Sequence, residues 1–131
     1  MSPETHIYYS GDVDTNVGVF ASAILANPDI STPAKYAFVY TEQGPYRDYY
    51  QAWSEVTGRR VTFVQVGQAE YEDVWGKEFG EELAIMFKSF EPESDWGKPY
   101  GGDVVTAAEL GIKREELLGL KETLEREKHR L

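Results

Sequence analysis

Cysteine is absent from the chain. Disulfides, thiolate nucleophiles and thiolate metal ligands are therefore excluded, and the sequence carries no mark of redox compartment. Histidine is nearly absent: His6 and His129 are the only two, with no paired spacing. A metal site would have to be all-carboxylate, and no EF-hand spacing is present. Positive charge is scarce as well. Thirteen Lys and Arg stand against 23 Asp and Glu, a formal net charge of -10. That balance argues against nucleic acid and against an anionic membrane surface, since both need a basic face. No apolar run approaches the ~20 residues of a membrane span, and the start MSPETHIYYSGD lacks the basic and apolar regions of a secretory signal. A soluble, cytoplasmic protein is expected.

Glycine-based phosphate cradles are also missing. No G-x-G-x-x-G follows a strand, and there is no G-x-x-x-x-G-K-[ST] or G-x-S-x-G elbow. No tyrosine is followed four residues later by lysine. Dinucleotide, classical nucleophilic and metal chemistry are unsupported, and no cofactor is expected.

What is present is a folding sequence. A length of 131 residues with 41% hydrophobic and 14% aromatic content suits one domain, 1–131, with a modest core. His6 to Tyr9 reads as a short strand or extended entry. Val13, Val17, Phe20 and Ile24 mark one face of a helix that Asn27-Pro28 ends. The stretch KYAFVY-TEQG-PYRDYYQAWSEVTG-RR-VTFVQV organises the rest. It reads as strand 36–40, a turn, a helix with the stripe Tyr46, Tyr49, Tyr50, Trp53 and Val56 that Gly58 stops, and strand 61–66. A long helical pattern over 68–90 contains Gly76 and Gly80, which either permit close packing or mark a break. A Pro/Gly loop carrying Trp96 and Tyr100 follows. Thr106 and Glu109 fit a capping box for a turn that stops at Gly111, and a final helix bears Leu117, Leu120 and Leu124. The expected class is α/β (α+β): a small, mainly parallel two- to three-stranded sheet with helices packed around it.

The segments DVDTNVGVFASAILANPD, KYAFVY, VTGRRVTFVQV, AEYEDVWGKEFGEELAIMFKSFEP, AAELGI and ELLGLKETLE, in this order and spacing, resemble the C-terminal, substrate-binding half of NmrA-like atypical short-chain dehydrogenase/reductase proteins of fungal type. The likeness spans about Tyr9 to Leu124. The chain begins near the point where the second half of that family begins, so the resemblance implies the substrate half without the Rossmann NADP-binding half. It also implies that a surface normally packed on that half is covered by a second copy, as a homodimer.

Carried over from the resemblance, a substrate site lies between Tyr8, Tyr9, Asp12 and Asp14 on one side and Phe87, Phe90, Asp95, Trp96 and Tyr100 on the other. Such an aromatic-walled pocket suits a small organic aromatic or polycyclic substrate. Asp12, Tyr9, Tyr100 and His6 are the candidate catalytic groups, because a partly buried acid has its pKa moved into a range useful for proton transfer. Tyr8, Asp14, Phe87, Phe90, Asp95 and Trp96 are the candidate substrate contacts. Each has a plainer reading: Asp12 and Asp14 as helix caps, the aromatics at helical spacing as core, and His6 as a solvated side chain. The expected function is a cofactor-independent isomerase, cyclase or dehydratase-type enzyme of fungal natural-product biosynthesis. The alternatives are a non-catalytic ligand-binding or regulatory module, or a fragment of an NADP-dependent reductase.

Overall fold

A computed structural model describes residues 1–32, 35–92, 96 and 98–131. The chain is α+β, as expected from its sequence. Strand β1, His6–Tyr9, leads into helix α1, Val13–Ala26, and a short helical turn α2, Pro28–Ser31. Strands β2, Tyr36–Ala37, and β3, Glu42–Pro45, precede helix α3, Tyr46–Thr57. Helices α4, Gln68–Trp75, and α5, Lys77–Ser89, come next, then strand β4, Val104–Val105, and helix α6, Leu120–Glu127. The strands form two ladders. β1 pairs antiparallel with β3, with Tyr8 opposite Gln43, and β2 pairs parallel with β4, with Tyr36 opposite Val104.

Three strand expectations change. The strand expected over 36–40 forms a ladder only at Tyr36–Ala37. Residues 42–45, read as turn up to Gly44 and as the first turn of the helix at Pro45, are a strand, because their backbone lies alongside β1 and Tyr46 N–H reaches back to Thr5 C=O. Residues 61–66, read as the second strand of a parallel pair, belong to no sheet. The parallel partner of 36–37 is 104–105 instead.

Helix α1 begins at Asp12, whose carboxylate accepts from Thr15 N–H at 2.8 Å, and ends at Asn27, as the sequence predicts. Its buried face is rotated from the apolar stripe, however. Phe20 and Asn16 are buried, whereas Val13 and Val17 are about half exposed, at 57% and 47%. The reason is polar. Asn16 Nδ2 donates to Ser10 C=O (2.7 Å) and Leu118 C=O (2.8 Å), and its Oδ1 accepts from Leu118 N–H (2.9 Å). These bonds tie the start of α1 to the chain before α6. Buried polar groups that satisfy one another in this way fix an orientation that hydrophobic periodicity alone does not specify.

The main core gathers Phe20, Val105, Leu110, Ile112 and Leu117, with Ala37 and Val39 packed against it. Helix α3 stops at Gly58, which takes the left-handed conformation (φ 69°) required of a residue closing a helix this way. It packs on α6, with Lys121 Nζ 2.8 Å from Glu55. The pattern over 68–90 is two helices, because Gly76 (φ 84°) breaks it. Lys88 near the end of α5 bonds to Gln68 at the start of α4 (2.9 Å), so the pair is an antiparallel hairpin. Gly80 lets the two backbones meet: a Cβ there would lie 2.7 Å from Glu72 Cα. The Thr106–Glu109 box holds a single turn that Gly111 ends. The final helix is shorter than the sequence suggests. A 3-10 turn at Arg114–Glu116 is separated from α6 by extended backbone at Leu117 and Gly119, with Glu42 Oε1 accepting from Leu120 N–H at 2.8 Å.

Candidate functional site

The segment after β2 alternates. Ala37 and Val39 turn into the core, and Tyr36, Phe38 and Tyr40 make up the other set, as the period of two of extended chain requires. This aromatic set is the foundation of the site. Tyr8 from β1 meets it, with ring centroids 4.6 Å from Phe38 and 4.9 Å from Tyr40. Two bonds hold β1 there: Ser10 Oγ donates to Val39 C=O (3.1 Å), and Thr41 N–H donates to Tyr9 C=O (2.8 Å). Trp96 completes the cluster, 5.2 Å from Tyr8 and 4.6 Å from Phe90, and Phe90 continues to Phe87 at 6.2 Å. Tyr100 lies over Tyr36, with centroids 4.8 Å apart.

A groove of about 310 Å³ opens among Tyr36, Ala37, Phe38, Trp96, Tyr100 and Val104. Four of these six residues are aromatic. One polar group stands out: the indole N–H of Trp96 is buried and has no hydrogen-bond acceptor among the described residues. An unsatisfied buried donor costs about 1–3 kcal/mol.

The structure therefore brings Tyr8, Phe90, Trp96 and Phe87 into one ring network and sets Tyr100 at the same groove. Of the first flank named from the sequence, Tyr8 alone meets a residue of the second, Trp96, among the described residues. The acid–base candidates fare differently. Tyr9 is buried, lines a separate cavity with Tyr46 and Leu124, and donates its phenol O–H to Pro45 C=O at 2.7 Å. Burial, with Asp48 nearby, pushes its pKa up to about 12, so the phenol holds its proton. Asp12 is buried as the α1 cap, with Oδ1 on Thr15 N–H and Oδ2 2.9 Å from the Arg126 guanidinium. The Thr15 backbone and side-chain bonds, then Arg126, hold its carboxyl below the usual range. It is an ionised structural group rather than a proton donor. Asp14 is exposed in the first turn of α1, and His6 is exposed on β1 opposite Pro45; neither lines the groove. Asp95 lies outside the described residues.

Sequence reasoning treated 36–40 as scaffold and so missed Tyr36, Phe38 and Tyr40 as groove and cluster residues. The strict alternation Tyr-Ala-Phe-Val-Tyr was the available signal, since one face is aromatic and the other aliphatic.

Among the described residues no helix is long and apolar enough to cross a membrane, and no three acidic or histidine side chains gather as a metal site. Comparison with protein-family models, with curated proteins and with solved structures gives no match.

Proposed function

We propose that this chain is a small-molecule-binding module whose aromatic groove takes a flat, largely apolar ligand bearing a hydrogen-bond acceptor. The observation that carries this reading is the buried, unpartnered Trp96 N–H beside a groove walled by Tyr36, Phe38 and Tyr100. Aromatic faces bind planar ligands by offset and edge-on contact, and a single placed donor sets the ligand's orientation. The resemblance to the substrate-binding half of NmrA-like proteins supports the same ligand class. Binding is favoured over acid–base catalysis by Tyr9 or Asp12 because both are committed to structural bonds; of the four candidate catalytic groups, Tyr100 alone lines the groove.

Flavone, a neutral planar ketone, is a suitable probe by titration calorimetry. Saturable binding is expected, weakened about 2- to 10-fold by Trp96→Phe, which keeps an aromatic ring and removes the N–H. Tyr100→Ala should also weaken it. Parent protein that fails to bind planar carbonyl compounds, or variants that bind as the parent does, would refute the reading. Mass spectrometry of ligand recovered without NADPH should return it unchanged; conversion would favour the cofactor-independent enzyme instead.

A further inference from the structure

We infer that residues 60–66 form an unpaired strand that pairs antiparallel with the same strand of a second copy of this chain. The sequence there, Arg-Val-Thr-Phe-Val-Gln-Val, is rich in β-branched and aromatic residues, the types that favour pleated structure. Yet the segment joins no ladder, and no backbone N–H or C=O of residues 60–66 has a hydrogen-bond partner among the described residues. Phe63 is fixed from one side, its ring 5.7 Å from Tyr50 and 6.0 Å from Tyr46. Thr62, Val64 and Val66 are exposed, Val64 at 69%. A strand held on one face, with free main-chain groups and exposed β-branched side chains, is a template for strand addition.

Two features select a second copy as the occupant. The first is symmetry. A twofold axis normal to the sheet pairs residues whose numbers sum to an even value, and centring it on Val64 sets Val64 against Val64 and Thr62 against Val66. The exposed β-branched side chains Thr62, Val64 and Val66 then meet one another across the axis, and such pairs stabilise antiparallel ladders. The second is charge. The strand is preceded by Arg59 and Arg60 and followed by Glu70, Glu72 and Asp73. Antiparallel pairing brings the basic end of each copy towards the acidic end of the other. Arg60 is exposed and has no ion pair among the described residues. Parallel pairing would set like charges together.

Sedimentation velocity on the full chain at micromolar concentration tests the assignment, with hydrogen exchange locating the interface. A dimer is expected, with concentration-dependent protection of the 62–66 amides. Val64→Lys puts like charges directly opposite across the axis and should weaken the dimer at least about tenfold. Val64→Pro removes a central N–H and should also dissociate it, and circular dichroism checks that both variants keep the parent fold. Val17→Lys, on the exposed face of α1, should leave the dimer intact. A monomeric parent, unprotected 62–66 amides at every concentration, or a dimer lost with Val17→Lys and kept with Val64→Lys would overturn it.

Discussion

Replacing Asn16 with alanine removes three hydrogen bonds at a side chain with no solvent exposure. The carbonyl of Leu118 keeps a second donor, Asp12 N–H at 3.2 Å. Leu118 N–H and Ser10 C=O have no other partner among the described residues. Two stranded backbone groups at about 1–3 kcal/mol each give an expected loss of about 3 kcal/mol. That is a large fraction of the roughly 5–15 kcal/mol that stabilises a typical domain, and corresponds to a fall in Tm of about 10 °C. Urea denaturation followed by circular dichroism measures it, with an unchanged m-value showing that the effect is on stability rather than on the extent of unfolding. Asn16→Asp sharpens the test. It preserves shape but points a carboxylate at two carbonyl oxygens. Its folded-state pKa should be raised, so its deficit should be full at pH 7 and shrink as acid restores a donor. If either substitution costs less than about 0.5 kcal/mol at pH 7, the claim that these bonds orient α1 fails.

Other expectations are more local. Gly11→Ala should cost about 3 kcal/mol, because φ is +62° and the added Cβ would fall 1.9 Å from the Leu118 carbonyl oxygen; Gly18→Ala, which meets nothing within 4 Å, should stabilise by about 0.5–1 kcal/mol in the same denaturation assay. Gly80→Ala should lose about 1–3 kcal/mol despite alanine's helix propensity, since its Cβ would meet the α4 backbone. In an ultraviolet titration, one of the nine tyrosines should ionise near pH 12 or only on alkaline unfolding, and Tyr9→Phe should remove that step. The sign follows from a folded pKa raised above the ordinary 10.0: the contribution is full below about pH 10 and is lost as pH climbs towards 12. A parent whose tyrosines all titrate near 10 without unfolding would contradict the buried Tyr9–Pro45 bond.

Helix limits were legible where the signal is local. Asp12 and Asn27 bound α1, Gly58 closes α3, and Thr106 with Glu109 makes its turn, because caps act within one turn of chain. Pairing partners were not legible. Residues 42–45 have no strand-like alternation and become a strand only because β1 lies beside them, while 61–66 have the composition and no neighbour. Val13 and Val17 outnumber Asn16 in any hydrophobic pattern, yet three hydrogen bonds from Asn16 set the helix rotation. Gly119 ends the expected long final helix for a tertiary reason as well, since a Cβ there would collide with the Glu42 carboxylate that caps α6.

The same distinction separates the two halves of the candidate site. Tyr8, Phe90, Trp96 and Tyr100 were named from the resemblance, Trp96 and Tyr100 also because large aromatics in a Gly/Pro loop must meet something; Trp96 meets Tyr8 and Phe90, and Tyr100 meets Tyr36. Asp12 and Tyr9 were attractive because a buried acid has a shifted pKa. The direction of the shift decides what that is worth. A catalytic acid near neutral pH needs a carboxyl moved up or a phenol moved down; Asp12 is moved down by its cap and Arg126, and Tyr9 is moved up by burial. Both shifts lock in the protonation state each group already has at neutral pH. They strengthen the fold's ties to α1 and β3 through the Asp12–Thr15 and Tyr9–Pro45 bonds.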